Sequence, residues 1–352
     1  MTTGRRNVRT KFTLPVLLAV AVVALVAGIL ASRVFATGDS GSGGSGGASP
    51  ASSTRVDVIV KATDSSFWQT MIAGSQAAAQ DYGVDVGIFG PPSETDIDEQ
   101  VQLVENSISR GVDAIAVASN SSDALNDVID RARGQDIPVI TVDNEVTTET
   151  DGFIGTDNRI AGEEGGRRLC ELVQEASPEG GSVLLESAVA GVQVLVDRDG
   201  GFEDGFNEDC AGDYEIIGPR YNDNDIQTAA SQVNDAITAN EDLVGVFADN
   251  NTSGVGAAQA IEENDAADEI PVVAFDADPQ QVEALRSGTI DALVVQNPYF
   301  FGYQAVVAAV MRTQGRFPPE SLDPGGVVVE EGDLGNPVVD RLVDPPTVEA
   351  DE

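Results

Sequence analysis

Short apolar runs alternate with amphipathic stretches from Arg55 to about residue 330. Strands are predicted at 56–60, 84–89, 114–118 and 139–142, each a brief run rich in Val, Ile and Ala. Between them, 67–82, 96–110 and 122–133 carry apolar residues at helical spacing. A short strand at 153–155 leads into Thr156-Asp157-Asn158, and the alternation then begins again. Helices are predicted at 158–174, 198–207, 226–239, 253–263 and 280–287, with strands at 183–186, 214–217, 243–248, 272–275 and 292–295. A helix at 300–312, a Pro-rich turn and a strand at 327–330 complete the pattern. Repeated strand–helix wiring predicts parallel sheets covered on both faces. Two successive α/β units of similar size predict two Rossmann-like lobes with a ligand cleft between them.

The first residues follow a different rule. Arg5, Arg6, Arg9 and Lys11 precede an almost wholly apolar run over 12–31, and Val34-Phe35-Ala36 offers a small-residue cleavage site. Residues 1–36 are therefore expected to be a signal peptide or a membrane anchor. The run is long enough for either, and both stay open. No cysteine follows it closely, which excludes a lipid anchor on a new N-terminal Cys. Residues 37–54 have the Gly/Ser composition of a flexible linker, and 347–352 is expected to be a frayed tail. The folded part then works outside the cytoplasm, where Cys170 and Cys210 are candidates for a disulfide.

Composition narrows the chemistry. The 352 residues include 59 acids against 19 bases, and five of those bases lie in the acid-free first 36. The rest is strongly acidic, a surface that repels nucleic acid and anionic lipid. There is no histidine, so Ser-His-Asp and Cys-His catalysis and histidine metal ligation are excluded. Two cysteines are too few for a Cys/His zinc site. Gly162-Glu163-Glu164-Gly165-Gly166 lies within a helical run and not after a strand, so it fails the context test for a phosphate loop. Asn222-Asp223-Asn224-Asp225 has a calcium-like flavour but lacks the full EF-hand loop and its closing Glu; a turn with a helix cap is the better reading. No cofactor is expected.

Scarce residue types mark one place. Lys61 is the only lysine beyond Lys11, and Trp68 is the only tryptophan. Both follow the first predicted strand, with Phe67 beside Trp68, where open α/β sheets bind ligands. Aromatic faces suit the C–H face of a sugar, and a lysine donates to hydroxyls. The plain alternative is a core Phe-Trp pair with a solvent-facing lysine.

From about Val56 to about Val329 the chain resembles the type I periplasmic sugar-binding proteins, the ribose-binding group of ABC transport systems. The resemblance rests on motifs in register. They are Lys61-xx-Asp64-xx-Phe67-Trp68, Gly111-Val112-Asp113-Ala114-Ile115, Ile137-Pro138-Val139-Ile140-Thr141-Val142-Asp143 and Gly155-Thr156-Asp157-Asn158. Arg198-xx-Gly201-Phe202, Val246-Phe247-Ala248-Asp249-Asn250, Val273-Ala274-Phe275-Asp276 and Val295-Gln296-Asn297-Pro298 follow in order.

The resemblance implies an α/β fold of two lobes joined by a three-segment hinge near 155–157, 296–298 and 322–325. It implies an N-terminal lobe of 55–156 with 297–323, and a C-terminal lobe of 157–296 with 324–346. It implies Phe67 and Trp68 stacking on a sugar ring. Asp143, Asn250, Asp276 and Gln296 would hydrogen-bond its hydroxyls, with Arg198 as a charged donor. Helix capping or ion pairing are the alternatives for the two aspartates, and a surface acid for Arg198. Two positions depart from the ribose-like pattern. Asn144 stands where an Arg is usual, and Lys61 where a small hydroxyl residue is frequent, so both enter the candidate ligand set and ribose itself is doubtful. Lys61 has an internal pair with Asp143 or Asp276 as its alternative.

The implied function is an extracytoplasmic, monomeric, non-enzymatic binding protein. It would capture a sugar or polyol and deliver it to an ABC permease, with contact to the membrane only through the N-terminal segment. A membrane-held sugar receptor for a signalling partner would share the fold and pocket but present a different docking surface. A glycoside hydrolase has no carboxylate-pair signature here. A DNA-binding regulator of the same core fold lacks its N-terminal reading head.

Overall fold

The computed structural model describes residues 53–63 and 65–345. The expected signal or anchor, most of the linker, Asp64 of the first motif and the C-terminal tail lie outside the described residues. No helix among the described residues is long and apolar enough to cross a membrane.

The first sheet contains β1 (Arg55–Ile59), β2 (Asp85–Phe89), β3 (Ala114–Val117), β4 (Val139–Val142), β5 (Phe153–Ile154) and β11 (Ser321–Leu322), in the order β11-β5-β4-β3-β1-β2. The second contains β6 (Gly181–Ser187), β7 (Tyr214–Tyr221), β8 (Leu243–Ala248), β9 (Val272–Phe275), β10 (Ala292–Val295) and β12 (Val327–Val329), in the order β12-β10-β9-β8-β6-β7. Alternate side chains of each strand enter opposite cores, because side chains alternate with period two. Thus Val56, Val58, Ala114 and Ala116 pack into one cluster while Ile59, Ile115 and Val117 pack into another. A strand buried on both faces is apolar along most of its length, and β1 carries one exception, the buried Asp57.

Helices cover both faces. The first sheet carries α1 (Ser66–Tyr82), α2 (Ile97–Arg110), α3 (Asn126–Arg133) and α9 (Pro298–Thr313). The second carries α4 (Asn158–Ala176), α5 (Gln193–Cys210), α6 (Ile226–Ala239), α7 (Asn251–Glu263), α8 (Pro279–Ser287) and α10 (Pro337–Val343). Since α9 follows β10 yet packs on the first sheet, the chain passes between the sheets after β5, after β10 and after β11.

The structure departs from the sequence pattern at the edges. β12 pairs antiparallel to β10, so the second sheet is not wholly parallel. β11 and α10 were not anticipated, α5 begins at Gln193 instead of 198, and α3 begins at Asn126 instead of 122. Each lobe also contains a helix pair that crosses at glycines. A Cβ on Gly162 would lie 2.3 Å from the Arg198 carbonyl, and one on Gly201 would lie 2.1 Å from that of Arg159. Only glycine permits α4 and α5 to approach so closely. Further along the same pair, Cys170 and Cys210 are disulfide-bonded, with Cα atoms 5.9 Å apart. In the first lobe, Gly302 of α9 meets the Met71 carbonyl of α1 in the same manner.

Candidate functional site

The carboxyl ends of the strands in both sheets open onto a cavity of about 300 Å³. Its wall includes Lys61, Phe67, Trp68, Asp143, Arg198, Asn250, Asp276 and Gln296. The fold thus brings together all but one of the residues singled out in the sequence. Asn144 is the exception. It is wholly buried outside the wall, with Nδ2 donating to the Glu145 carbonyl at 3.1 Å. The cause is local. Asp143 has φ 62°, and this left-handed turn directs the next residue away from the cavity.

Two aspartates hold equivalent places in the two sheets. Asp143 follows β4 and Asp276 follows β9, and both have positive φ, 62° and 75°. The Asp143 N–H donates to the Ile154 carbonyl at 2.8 Å, and that of Asp276 to the Val294 carbonyl at 2.9 Å. Asp is among the few residues that adopt this conformation readily. Asp143 pairs with the buried Lys61, Nζ to Oδ2 2.6 Å. Lys61 is thus internal and not solvent-facing; its ammonium also lies 5.5 Å from the Trp68 ring centroid. Asp276 accepts from the Asn251 N–H at 3.0 Å, at the start of α7, and from Gln296 Nε2 at 2.7 Å. Burial raises its pKa, while Arg198 and Gln296 pull it back.

Arg198 is placed by the glycine crossing of α4 and α5. Its guanidinium donates to Asn158 Oδ1 at 2.7 and 3.1 Å and to the Asp249 carbonyl at 2.6 Å. Its plane rests 4.1 Å from the Phe275 ring centroid. Asn250 caps α7, accepting from the Ser253 N–H at 2.8 Å, and donates to Asn224 Oδ1 at 2.8 Å. Phe67 and Trp68 meet edge to face with centroids 4.8 Å apart. Trp68 is buried in the α1 core and exposes one part to the cavity.

Several wall residues escaped the sequence reading. Glu94 accepts from Trp68 Nε1 at 2.7 Å and has a pKa raised by burial, against the pull of Lys61. Asn120 donates to the Lys61 carbonyl at 3.1 Å. The position of Glu94, in the loop after a strand end, was a usable signal. The apolar stretch from Ala188 to Leu195 offered none, since it has no polar side chain on the cavity. Gln296 Oε1 and Asn120 Oδ1 are buried acceptors without a protein donor.

A second set of carboxylates lies behind Arg198. Ser187 Oγ is 2.6 Å from Asp249 Oδ2 and 3.0 Å from Asp199 Oδ2. One hydroxyl proton cannot be donated to both carboxylates at once. Burial and the neighbouring Asp249 push Asp199 up to about 8, and burial pushes Asp249 to about 6. Glu186, bonded to Asn222 at 3.0 Å, is pushed by burial to about 8. Asp225 of the calcium-like run caps α6, and among the described residues no acidic or cysteine group is arranged to hold a metal ion.

Comparison with known proteins gives one consistent picture. The family model described as "Periplasmic binding protein domain" matches residues 56–316. The D-allose-binding periplasmic protein of Escherichia coli is 26% identical over 253 residues, covering 70% of this chain and 80% of that protein. A carbohydrate transporter solute binding protein from Agrobacterium radiobacter, solved with D-arabinose, superposes with a TM-score of 0.80 at 30% identity, covering 83% of this chain and 99% of the other. An ABC transporter solute binding protein from Agrobacterium vitis with bound D-fucose gives 0.77 at 30% identity, covering 82% and 99%.

Proposed function

Since the chain belongs to the periplasmic binding protein domain family, we propose that it is an exported solute-binding protein that captures one sugar or polyol in this cleft for an ABC permease. The observation that carries the reading is the convergence of polar side chains from both lobes, most of them already held by other protein groups, on a cavity of about 300 Å³. That volume is at the small end of ligand pockets and suits a monosaccharide, as bound by the structural relatives.

In this proposal the sugar ring lies against Phe67 and Trp68. Its hydroxyls donate to Asp143, Asp276 and the free Gln296 Oε1, and accept from Lys61, Arg198 and Asn250. Hydrogen bonds to charged groups contribute about 1.5–3 kcal/mol each. A ligand lacking a hydroxyl strands a buried polar group and is rejected. Residues 55–156 with 297–323 and residues 157–296 with 324–346 act as two bodies that hinge at the chain crossings. Ser66 of the first and Asp278 of the second, 2.5 Å apart, lie on opposing lips. The N-terminal apolar run holds or exports the chain, and the protein works as a monomer. It binds its ligand without transforming it.

Titration calorimetry on Asp276→Ala and Arg198→Ala tests the site. Each variant is expected to lose binding by at least a hundredfold while keeping a cooperative thermal transition. Undiminished affinity in both would overturn the site assignment.

A further inference from the structure

The cavity is not polar all round. Of its charged and amide groups, Lys61, Asp143, Arg198, Asp276 and Gln296 are nearly inaccessible, while Glu94 and Asn251 are half-buried. The stretch from Ala188 to Val192, with Val194 and Leu195, supplies a wall without one polar side chain. Ala188, Val194 and Leu195 are buried together, with Val189 and Val192 against them, as a small apolar cluster separate from the large cores of the two lobes. A cluster that size adds little to either core, yet it faces the cavity. From the other lobe, Ile97 lines the same cavity. The start of α5 is consistent with this emphasis. Val192 sits at the N-cap, makes no side-chain cap, and so occupies a position where Ser, Thr, Asp or Asn would hold the helix better.

We propose that the preferred ligand of this cleft is a methyl-bearing monosaccharide, a deoxy or O-methyl sugar, whose methyl group lies on the wall formed by Val189, Val192, Val194 and Leu195. This rests on the cleft being a sugar site. A hydroxyl pressed against that wall gives up water and finds no side-chain partner, whereas a methyl group gains by leaving water. The remaining hydroxyls keep the polar end of the cavity. The two terms together give discrimination of about tenfold or more in favour of the methyl-bearing sugar.

The test is titration calorimetry on the purified full chain with matched pairs: D-fucose and D-galactose, L-rhamnose and L-mannose, 6-deoxy-D-glucose and D-glucose, 3-O-methyl-D-glucose and D-glucose. The expected result is that the tightest ligand is a methyl-bearing member, bound at least tenfold more tightly than its hydroxyl parent. The variant Val192→Thr keeps shape, adds a hydroxyl to the wall and supplies a better helix cap. It should reduce that ratio at least threefold without lowering the melting temperature, which a merely structural role for Val192 would not do. Parents bound as tightly as their methyl-bearing partners would overturn this inference and leave the sugar-binding function standing. Absence of binding by every sugar, in a folded sample, would overturn both.

Discussion

Lys61 has its ammonium 2.6 Å from Asp143, and both side chains are almost wholly out of water. A buried charge is tolerable only while its partner remains. Asp143→Ala is therefore expected to destabilise the protein by roughly 3–5 kcal/mol, while Lys61→Met with Asp143→Leu restores much of that loss. Urea denaturation of the unaltered protein and the two variants measures both; equal stability of the single and double variants would show that the pair has no such role. The rarity of Lys61 and Trp68 made this corner legible in the sequence. Glu94 and Asn120 are common residue types in loops, and only the fold reveals that they turn inward. The buried carboxylates behind Arg198 also have a measurable consequence. Folded-state pKa values of about 8 for Glu186 and Asp199 and about 6 for Asp249 lie above the ordinary carboxylate range. The folded state therefore holds more protons than the unfolded state between about pH 4 and 8. These groups contribute stability that is fully present below the unfolded pKa and is lost as pH rises through the folded values. Arg198 and Arg220 oppose the shifts without cancelling them. Melting temperature should fall from pH 5 to pH 8.5, and Glu186→Gln with Asp199→Asn should flatten the profile; an unchanged slope in that variant would assign the pH dependence elsewhere.

At the scale of elements, α4 and α5 are joined twice, by glycine contacts at one end and by Cys170–Cys210 further along. The disulfide closes a sequence separation of 40 residues, for which the chain-entropy model gives a stabilisation of about 4 kcal/mol. Denaturant titration with and without reductant should show a loss of that order, with sugar affinity changing less than stability because the glycine crossing still places Arg198. A loss below about 1 kcal/mol would place the stability of this helix pair in its packing. Periodicity located the central strands well, because a strand buried on both faces is apolar along most of its length. It could not give the direction of β12, since a run of Val reads alike parallel or antiparallel. β11, two residues long, carries no period, and α10 is short and packs through Val339, Leu342 and Val343. The first turn of α5 was missed because Val192 provides no capping signal.

The whole molecule puts two similar α/β units on opposite sides of one cleft, with the chain crossing three times between the sheets. Motif order in the sequence implied this architecture through a family resemblance, and the strand orders agree with it. Closure has a physical basis in side chains that reach across. Ser66 Oγ donates to Asp278 Oδ2 at 2.5 Å, and Asn251 Nδ2 to Ser65 Oγ at 3.5 Å. A ligand that contacts both lobes shifts any equilibrium between open and closed forms only by its differential affinity for the closed form. The most direct measurement is a thermal-shift screen of the full chain against pentoses, hexoses, deoxysugars, polyols and inositols at millimolar concentration. A ligand at about 100 times its dissociation constant adds roughly 2.7 kcal/mol, so the account predicts a clear rise in melting temperature for one sugar and none for it in Asp276→Ala. A folded chain that no sugar or polyol stabilises would contradict the account.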